Sequence, residues 1–195
     1  MKIGIMGGTF DPIHLGHLIA AESAREAAGL NEVWFMPTHI PPHKPNLPKA
    51  SAEQRLEMVR LAIAHQVNFR VVDYELIRGG ISYTADTVRI LHELHPTLTF
   101  YYIIGADMVM YLPKWMQIEE IVKHASFIGL QRAGFQVALD QLPVNLAYKV
   151  QLAPMPLIEI SSTVIRERQR LQQSVRYLVP ENVRMYMEAN RLYES

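Results

Sequence analysis

The sequence predicts an α/β protein, a Rossmann-like doubly wound parallel sheet in a single domain, and three observations predict it. Short apolar runs of strand length alternate with stretches of helical periodicity, the pattern of parallel strands joined by crossover helices. A glycine pair follows the first apolar run and leads straight into a helix, residues 7–17 reading GGTFDPIHLGH. The chemically distinctive residues each fall just beyond a strand, on the sheet edge where an open parallel sheet forms its ligand crevice.

The elements follow in order. The first strand is Lys2–Met6, and the first helix runs from near His14 through an alanine-rich stretch to Ala28, where Gly29 supplies a stop. Val33–Pro37 is the second strand. Five prolines (37, 41, 42, 45 and 48) then deny residues 37–48 both helix and central-strand pairing, which makes them an irregular loop. Ser51 with Gln54 forms a capping-box pattern, and Leu56, Val59 and Ile63 share a face behind it. Strands at Phe69–Asp73, Thr97–Ile104 and Ser126–Gln131 alternate with helices whose stripes are Thr87, Ile90, Leu91 and Leu94, then Ile118, Ile121, Val122 and Ala125. The last third is irregular until Pro180, which opens a helix carrying Val183, Tyr186 and Met187 on one side. A helical C-terminal part over about 160–195 belongs to the same domain, 1–195.

Composition narrows the function. Lys plus Arg and Asp plus Glu number 19 each, so no global positive field exists to hold a nucleic-acid backbone. The chain has no cysteine, which excludes a disulfide framework, thiolate zinc sites and cysteine nucleophiles, and suits a reducing interior. The opening MKIGIM runs directly into strand character and lacks a long apolar stretch with a cleavage site, and no later segment reaches the roughly 20 apolar residues of a membrane span. The expectation is a cytoplasmic protein with no membrane and no nucleic-acid partner; a homo-oligomer is compatible with the sequence.

The opening turn favours polyphosphate. Its glycines let backbone N–H groups approach an anion, and the helix start directs unpaired amides and a positive dipole end at the same spot. His14 and His17, three apart on the first helical turn, project side by side, with Gly16 keeping the approach open. Asp11 either fixes the turn or meets the ligand, and Phe10 packs. Near the other end, residues 160–166 (ISSTVIR) place Ser161 and Ser162 at a helix entrance and Arg166 about one turn in, a helix cap or a bidentate phosphate clamp. Lys44 in the proline loop is a cation able to close over a phosphate or to remain solvated. Trp115, four residues after Tyr111, is either a stacking platform or core. A zinc site from His14, His17, His39 and His43 is the physical rival, but it lacks an acidic general base at helical spacing.

GGTFDPIHLGH resembles the (T/H)xGH signature of the nucleotidyltransferase superfamily, and ISSTVIR resembles its second signature, ISSTxIR. SYTADT at 82–87, IIGADMVMYLPKWMQIEEI at 103–121, PPHKP at 41–45 and VPENVRMYMEANRLY at 179–193 resemble the bacterial nicotinate-nucleotide adenylyltransferase family within it. Class I aminoacyl-tRNA synthetases fit less well, being far longer and carrying a KMSKS loop absent here. Phosphopantetheine adenylyltransferases are shorter. This chain has Arg132-Ala133-Gly134 where the family usually has Arg-Pro-Gly.

The resemblance implies transfer of AMP from ATP to nicotinate mononucleotide, giving nicotinate adenine dinucleotide and pyrophosphate, in NAD biosynthesis. It implies catalytic roles for His14, His17 and Arg166. ATP binding is expected at Gly7, Gly8, Thr9, Phe10, His14, His17, Lys44, Gly105, Asp107, Arg132, Ser161, Ser162 and Arg166, and mononucleotide binding at Lys44, Thr84, Tyr111 and Trp115. Mg2+ would arrive with ATP, carried by phosphate oxygens rather than by a protein metal site. A nucleotide-sensing or scaffold protein that kept the pocket and lost turnover is the alternative from a different functional class.

Overall fold

The computed structural model describes residues 1–41, 47–131 and 137–194. Its centre is a six-stranded parallel sheet in the order β3-β2-β1-β4-β5-β6. The strands are β1 (Lys2–Gly8), β2 (Glu32–Pro37), β3 (Phe69–Val71), β4 (Thr99–Gly105), β5 (Ala125–Gln131) and β6 (Val150–Pro154). The helices are α1 (Leu15–Ala28), α2 (Ala52–Ile63), α3 (Tyr74–Arg78), α4 (Thr84–Leu94), α5 (Ala106–Val109), α6 (Ile118–His124), α7 (Val144–Ala147), α8 (Ser162–Arg170) and α9 (Glu181–Ala189). The chain lays β1 to β3 outward on one side, then crosses back to set β4 against the free edge of β1. Strand order therefore reverses between β1 and β4, the position where such sheets open a crevice.

Side-chain alternation sorts the core into two layers, one on each face of the sheet. Met6, Val33, Phe35, Ile103, Ile128 and Leu130 face a layer shared with α1, α2 and α9, through Ala24, Met58 and Met187 among others. Ile3, Ile5, Trp34, Met36, Phe100, Tyr102 and Phe127 face the opposite layer, closed by α4 and α6 through Val88, Leu91 and Ile121. Both faces are covered, which is why the strands read as nearly continuous apolar runs. Residues expected in a helical C-terminal part join the first of these layers, Ile165 from α8 and Val183 from α9.

Several expected boundaries hold. Gly29 ends α1 in the left-handed region at φ 60°, and Ser51 caps α2 by accepting from the Gln54 amide at 3.2 Å while Gln54 Oε1 accepts from the Ser51 amide at 2.9 Å. Other expectations are corrected. The buried stripe of α2 holds the expected Val59 and Ile63 but takes Arg55 and Met58 in place of Leu56. In α4 it is Ala85, Thr87, Val88 and Leu91, leaving Leu94 54 % exposed. Helix α3 and strand β6 were not anticipated. Five residues are too few to display a helical period, and β6 is an edge strand ending at Pro154, with Gln151 facing solvent and its amide bonded to the Ala27 carbonyl. Pro180 caps α9 from outside instead of opening its first turn.

Candidate active site

Three cavities, of about 410, 320 and 500 Å3, meet where strand order reverses. The first lies against β4 and the start of α4, walled by Thr38, Glu75, Thr84, Tyr102, Gly105 and Trp115. The second lies beside α1, walled by His14, Gly16, His17, Gly105, Met155 and Ile158. The third lies over the turn after β1, walled by Asp11, His17, Lys49, Ser161, Ser162 and Arg166. Gly7 and Gly105 border both the first and second cavities, Gly8 and Thr9 the first and third, and His17, Ser161 and Ser162 the second and third. The glycine turn and His17 are thus the common wall.

Close packing explains the glycines. A Cβ on Gly7 would sit 2.4 Å from Tyr102 Oη, and one on Gly16 would press on His14 Nδ1 at 3.0 Å. The two imidazoles stack with centroids 3.7 Å apart at 28°, and the His17 ring also meets the edge of Phe10 at 5.0 Å. His17 Nδ1 accepts from the His14 amide at 3.2 Å, which fixes its tautomer with the proton on Nε2 when the ring is neutral. Burial lowers the His14 pKa from 6.5 to about 4. His14 is accordingly a neutral ring at physiological pH, held against a second ring with which it could not comfortably share positive charge.

The second signature is tied to the first by hydrogen bonds. Ser161 caps α8 by accepting from the Val164 amide at 3.2 Å, Ser162 Oγ donates to the Pro12 carbonyl at 2.9 Å, and Arg166 Nη1 donates to the Asp11 carbonyl at 2.7 Å. Asp11 does more than shape its own turn. Its carboxylate accepts from the Lys49 amide (2.8 Å), the Ala50 amide (3.0 Å) and the Tyr193 hydroxyl (2.7 Å), lashing the loop before α2 and the chain's last turn to the site. Beneath them the Arg55 guanidinium, 1 % exposed, donates from Nη1 to the carbonyls of Thr9 and Thr38, each at 2.7 Å. The turn after β1 is braced from three sides.

Of the expected site residues, the structure brings Gly7, Gly8, Thr9, His14, His17, Gly105, Ser161, Ser162, Arg166, Thr84 and Trp115 to these cavities. Phe10 borders the third cavity but is only 2 % exposed, so its ring supports His17 and Phe35 rather than lying open to a nucleotide. Asp107 is exposed beside Gly105, its Oδ1 occupying the space a Gly105 Cβ would need. Tyr111 is 55 % exposed, with the Lys114 ammonium over its ring at 5.0 Å, and does not line the cavity that holds Trp115. His39, of the rival zinc set, contacts the Gly80 carbonyl through Nδ1 at 3.1 Å. Lys44, His43 and Arg132 lie outside the described residues, as does the Ala133 departure. The sequence reading missed Glu75, Tyr102, Arg55 and Tyr193; the one available signal was Arg55, a charge on the apolar stripe of α2.

Among the described residues, five buried side-chain polar atoms have no hydrogen-bond partner: His14 Nδ1, Thr38 Oγ1, Arg55 Nε, Glu75 Oε2 and Trp115 Nε1. Four of their residues, all but Arg55, line the first or second cavity. An unpaired buried polar group costs about 1–3 kcal/mol, and four of the five such groups stand around the first two cavities.

A doubly wound parallel sheet with a glycine turn and a helix start at its switch point is the architecture of a nucleotide-binding α/β protein. Residues 5–168 match the cytidylyltransferase-like family model. The nicotinate-nucleotide adenylyltransferase of Bacillus subtilis (strain 168) is 45 % identical over 194 residues, covering 100 % of this chain and 99 % of that protein. The Plasmodium falciparum nicotinic acid mononucleotide adenylyltransferase complexed with NaAD superposes with a TM-score of 0.80 at 23 % identity, over 99 % of this chain and 97 % of that one. The same enzyme complexed with APC gives 0.78 at 22 %; these two likenesses bear on the fold. The chain belongs to the nicotinate-nucleotide adenylyltransferase family, within the cytidylyltransferase-like nucleotidyltransferases.

Proposed function

We propose that this chain transfers AMP from ATP to nicotinate mononucleotide, releasing nicotinate adenine dinucleotide and pyrophosphate in NAD biosynthesis. The observation that carries this reading is the junction of three cavities on one turn: two chambers for two nucleotides, and a third for phosphate beside Arg166. The mononucleotide takes the first cavity, its pyridine ring stacked on Trp115, whose indole is wedged edge-on by Tyr102 (6.2 Å) and Phe127 (5.8 Å). Adenosine takes the second, beside Gly105. The triphosphate spans the Gly7–Thr9 amides, His14 and His17 toward Arg166.

The 5′-phosphate of the mononucleotide is already an ionised nucleophile, so the reaction needs alignment and charge stabilisation rather than a general base. His17 donates from Nε2 to the oxygens of the α-phosphate, where charge builds, and Arg166 neutralises the departing pyrophosphate. His14, neutral when the site is empty, gains a partner and a higher pKa when a polyphosphate arrives. Lys44 and Arg132 belong to the same binding set by family resemblance. Mg2+ enters on the phosphate oxygens of ATP; the Asp11 carboxylate in the cavity wall is already taken up by two amides and a hydroxyl. The cysteine-free chain suits the reducing interior of the cytoplasm.

The test is product analysis with purified protein, ATP, Mg2+ and nicotinate mononucleotide. Equimolar pyrophosphate and dinucleotide support the assignment. Tight binding of both nucleotides without product would make the chain a sensor rather than an enzyme.

A further inference from the structure

The third cavity does not end at Arg166. It shares Lys49, Thr163 and Arg166 with a fourth cavity of about 630 Å3, whose wall is completed by Glu167, Arg170, Leu192 and Tyr193. This fourth cavity has no part in the chemistry described above. His17 borders the third cavity and not the fourth, so a phosphate chain that starts at His17 crosses the boundary at Lys49, Thr163 and Arg166 to enter the further space.

The charges around that space do not balance. Three cations line it, Lys49, Arg166 and Arg170, against one carboxylate, Glu167. That carboxylate is taken by Arg170, which donates from Nε to Oε2 at 3.0 Å and from Nη2 to Oε1 at 2.6 Å. The Asp11 carboxylate, in the wall of the third cavity, is held by the Lys49 and Ala50 amides and the Tyr193 hydroxyl. Among the described residues, neither the Lys49 ammonium nor the Arg166 guanidinium has a carboxylate partner. Arg166 and Arg170 stand one turn apart on α8, a like-charge spacing that disfavours a helix unless an anion answers it. Donors are also left over. Arg166 spends two of its five N–H groups, on the Asp11 carbonyl and on Thr163 Oγ1, and Thr163 Oγ1 accepts that bond with its own proton still to give.

We propose that the fourth cavity is a subsite for one phosphate beyond the γ-phosphate, so that the chain also transfers AMP from adenosine 5′-tetraphosphate to nicotinate mononucleotide. The proposal rests on the assignment of the triphosphate to the third cavity. An oxygen of the mononucleotide phosphate bonds to the α-phosphorus, the bond from that phosphorus to the bridging oxygen breaks, and the electron pair leaves with tripolyphosphate in place of pyrophosphate. Arg166 holds the γ-phosphate at the boundary, and Lys49 and Arg170 take the terminal phosphate through charge-assisted hydrogen bonds.

The test incubates the purified full chain with Mg2+, nicotinate mononucleotide and either ATP or adenosine 5′-tetraphosphate at fixed ionic strength, and separates pyrophosphate from tripolyphosphate by ion chromatography. Tripolyphosphate should appear equimolar with the dinucleotide, and KM for the tetraphosphate should lie about three- to tenfold below that for ATP, the worth of two part-exposed charge pairs. Arg170→Gln, at the exposed end of α8, should erase most of that advantage and change KM for ATP by less than about twofold. No tripolyphosphate from protein that is active with ATP would overturn the proposal. So would a tetraphosphate KM no lower than that for ATP, or an advantage that Arg170→Gln leaves intact or reduces only in parallel with ATP binding. If the variant does not fold, the two wild-type KM values decide alone. No pyrophosphate from wild type with ATP would instead overturn the underlying assignment.

Discussion

His14 and His17 show how two identical side chains three residues apart acquire different roles. His14 is buried and neutral, with a pKa of about 4, whereas His17 borders both the second and third cavities. Between about pH 4 and 6.5 the unfolded chain binds a proton at His14 that the native state refuses, so this residue costs stability as pH falls through that window and none above it. Urea titrations should show wild type losing up to about 3 kcal/mol more than His14→Asn between pH 7 and 4; equal losses would mean that the buried ring protonates freely. His17→Ala should lower kcat on the order of 10²–10³-fold, the usual loss of a donor aimed at developing charge. Near-normal kcat would remove His17 from the chemistry. The histidine pair and Arg166 were legible in the sequence because glycine spacing and helix entrances leave local signals. Tyr193 was not, because its role comes from a partner distant along the chain, Asp11 182 positions away, and Arg55 left only the signal of a charge on an apolar helix face.

Elements supply the bracing that holds those side chains. The turn between β1 and α1 is tied to α8 through Ser162 and Arg166, to α2 through Arg55, and to the residues after α9 through Tyr193. Tyr193→Phe removes a hydrogen bond to a buried carboxylate, and loss of such a bond costs about 1.5–3 kcal/mol. The substitution should lower the thermal midpoint and raise KM for ATP, because Asp11 also anchors Lys49 in the wall of the third cavity; an unchanged KM would confine Tyr193 to stability. Helix ends were readable where they carry their own chemistry, as at Ser51 with Gln54 and at Gly29. Helix faces were less readable. In α2 the sequence pattern selected Leu56, yet the fold buries Arg55 because backbone carbonyls at Thr9 and Thr38 wait for its guanidinium.

At the scale of the whole molecule, the order β3-β2-β1-β4-β5-β6 places the ends of β1 and β4 side by side, and every proposed contact with the two nucleotides follows from that adjacency. Alternating strands and helices announced the parallel sheet, and the placement of motifs after strands announced which edge bears the site. The sixth strand was not announced, since an edge strand pairing along only one side can be short and partly polar. The central claim is that the two nucleotide chambers adjoin across the Gly7–Thr9 turn so that one phosphate displaces pyrophosphate from the other directly. Exchange of labelled pyrophosphate into ATP tests it. The account predicts exchange when nicotinate adenine dinucleotide or the mononucleotide is present and none with ATP alone; exchange with ATP alone would reveal an adenylylated enzyme and contradict direct transfer.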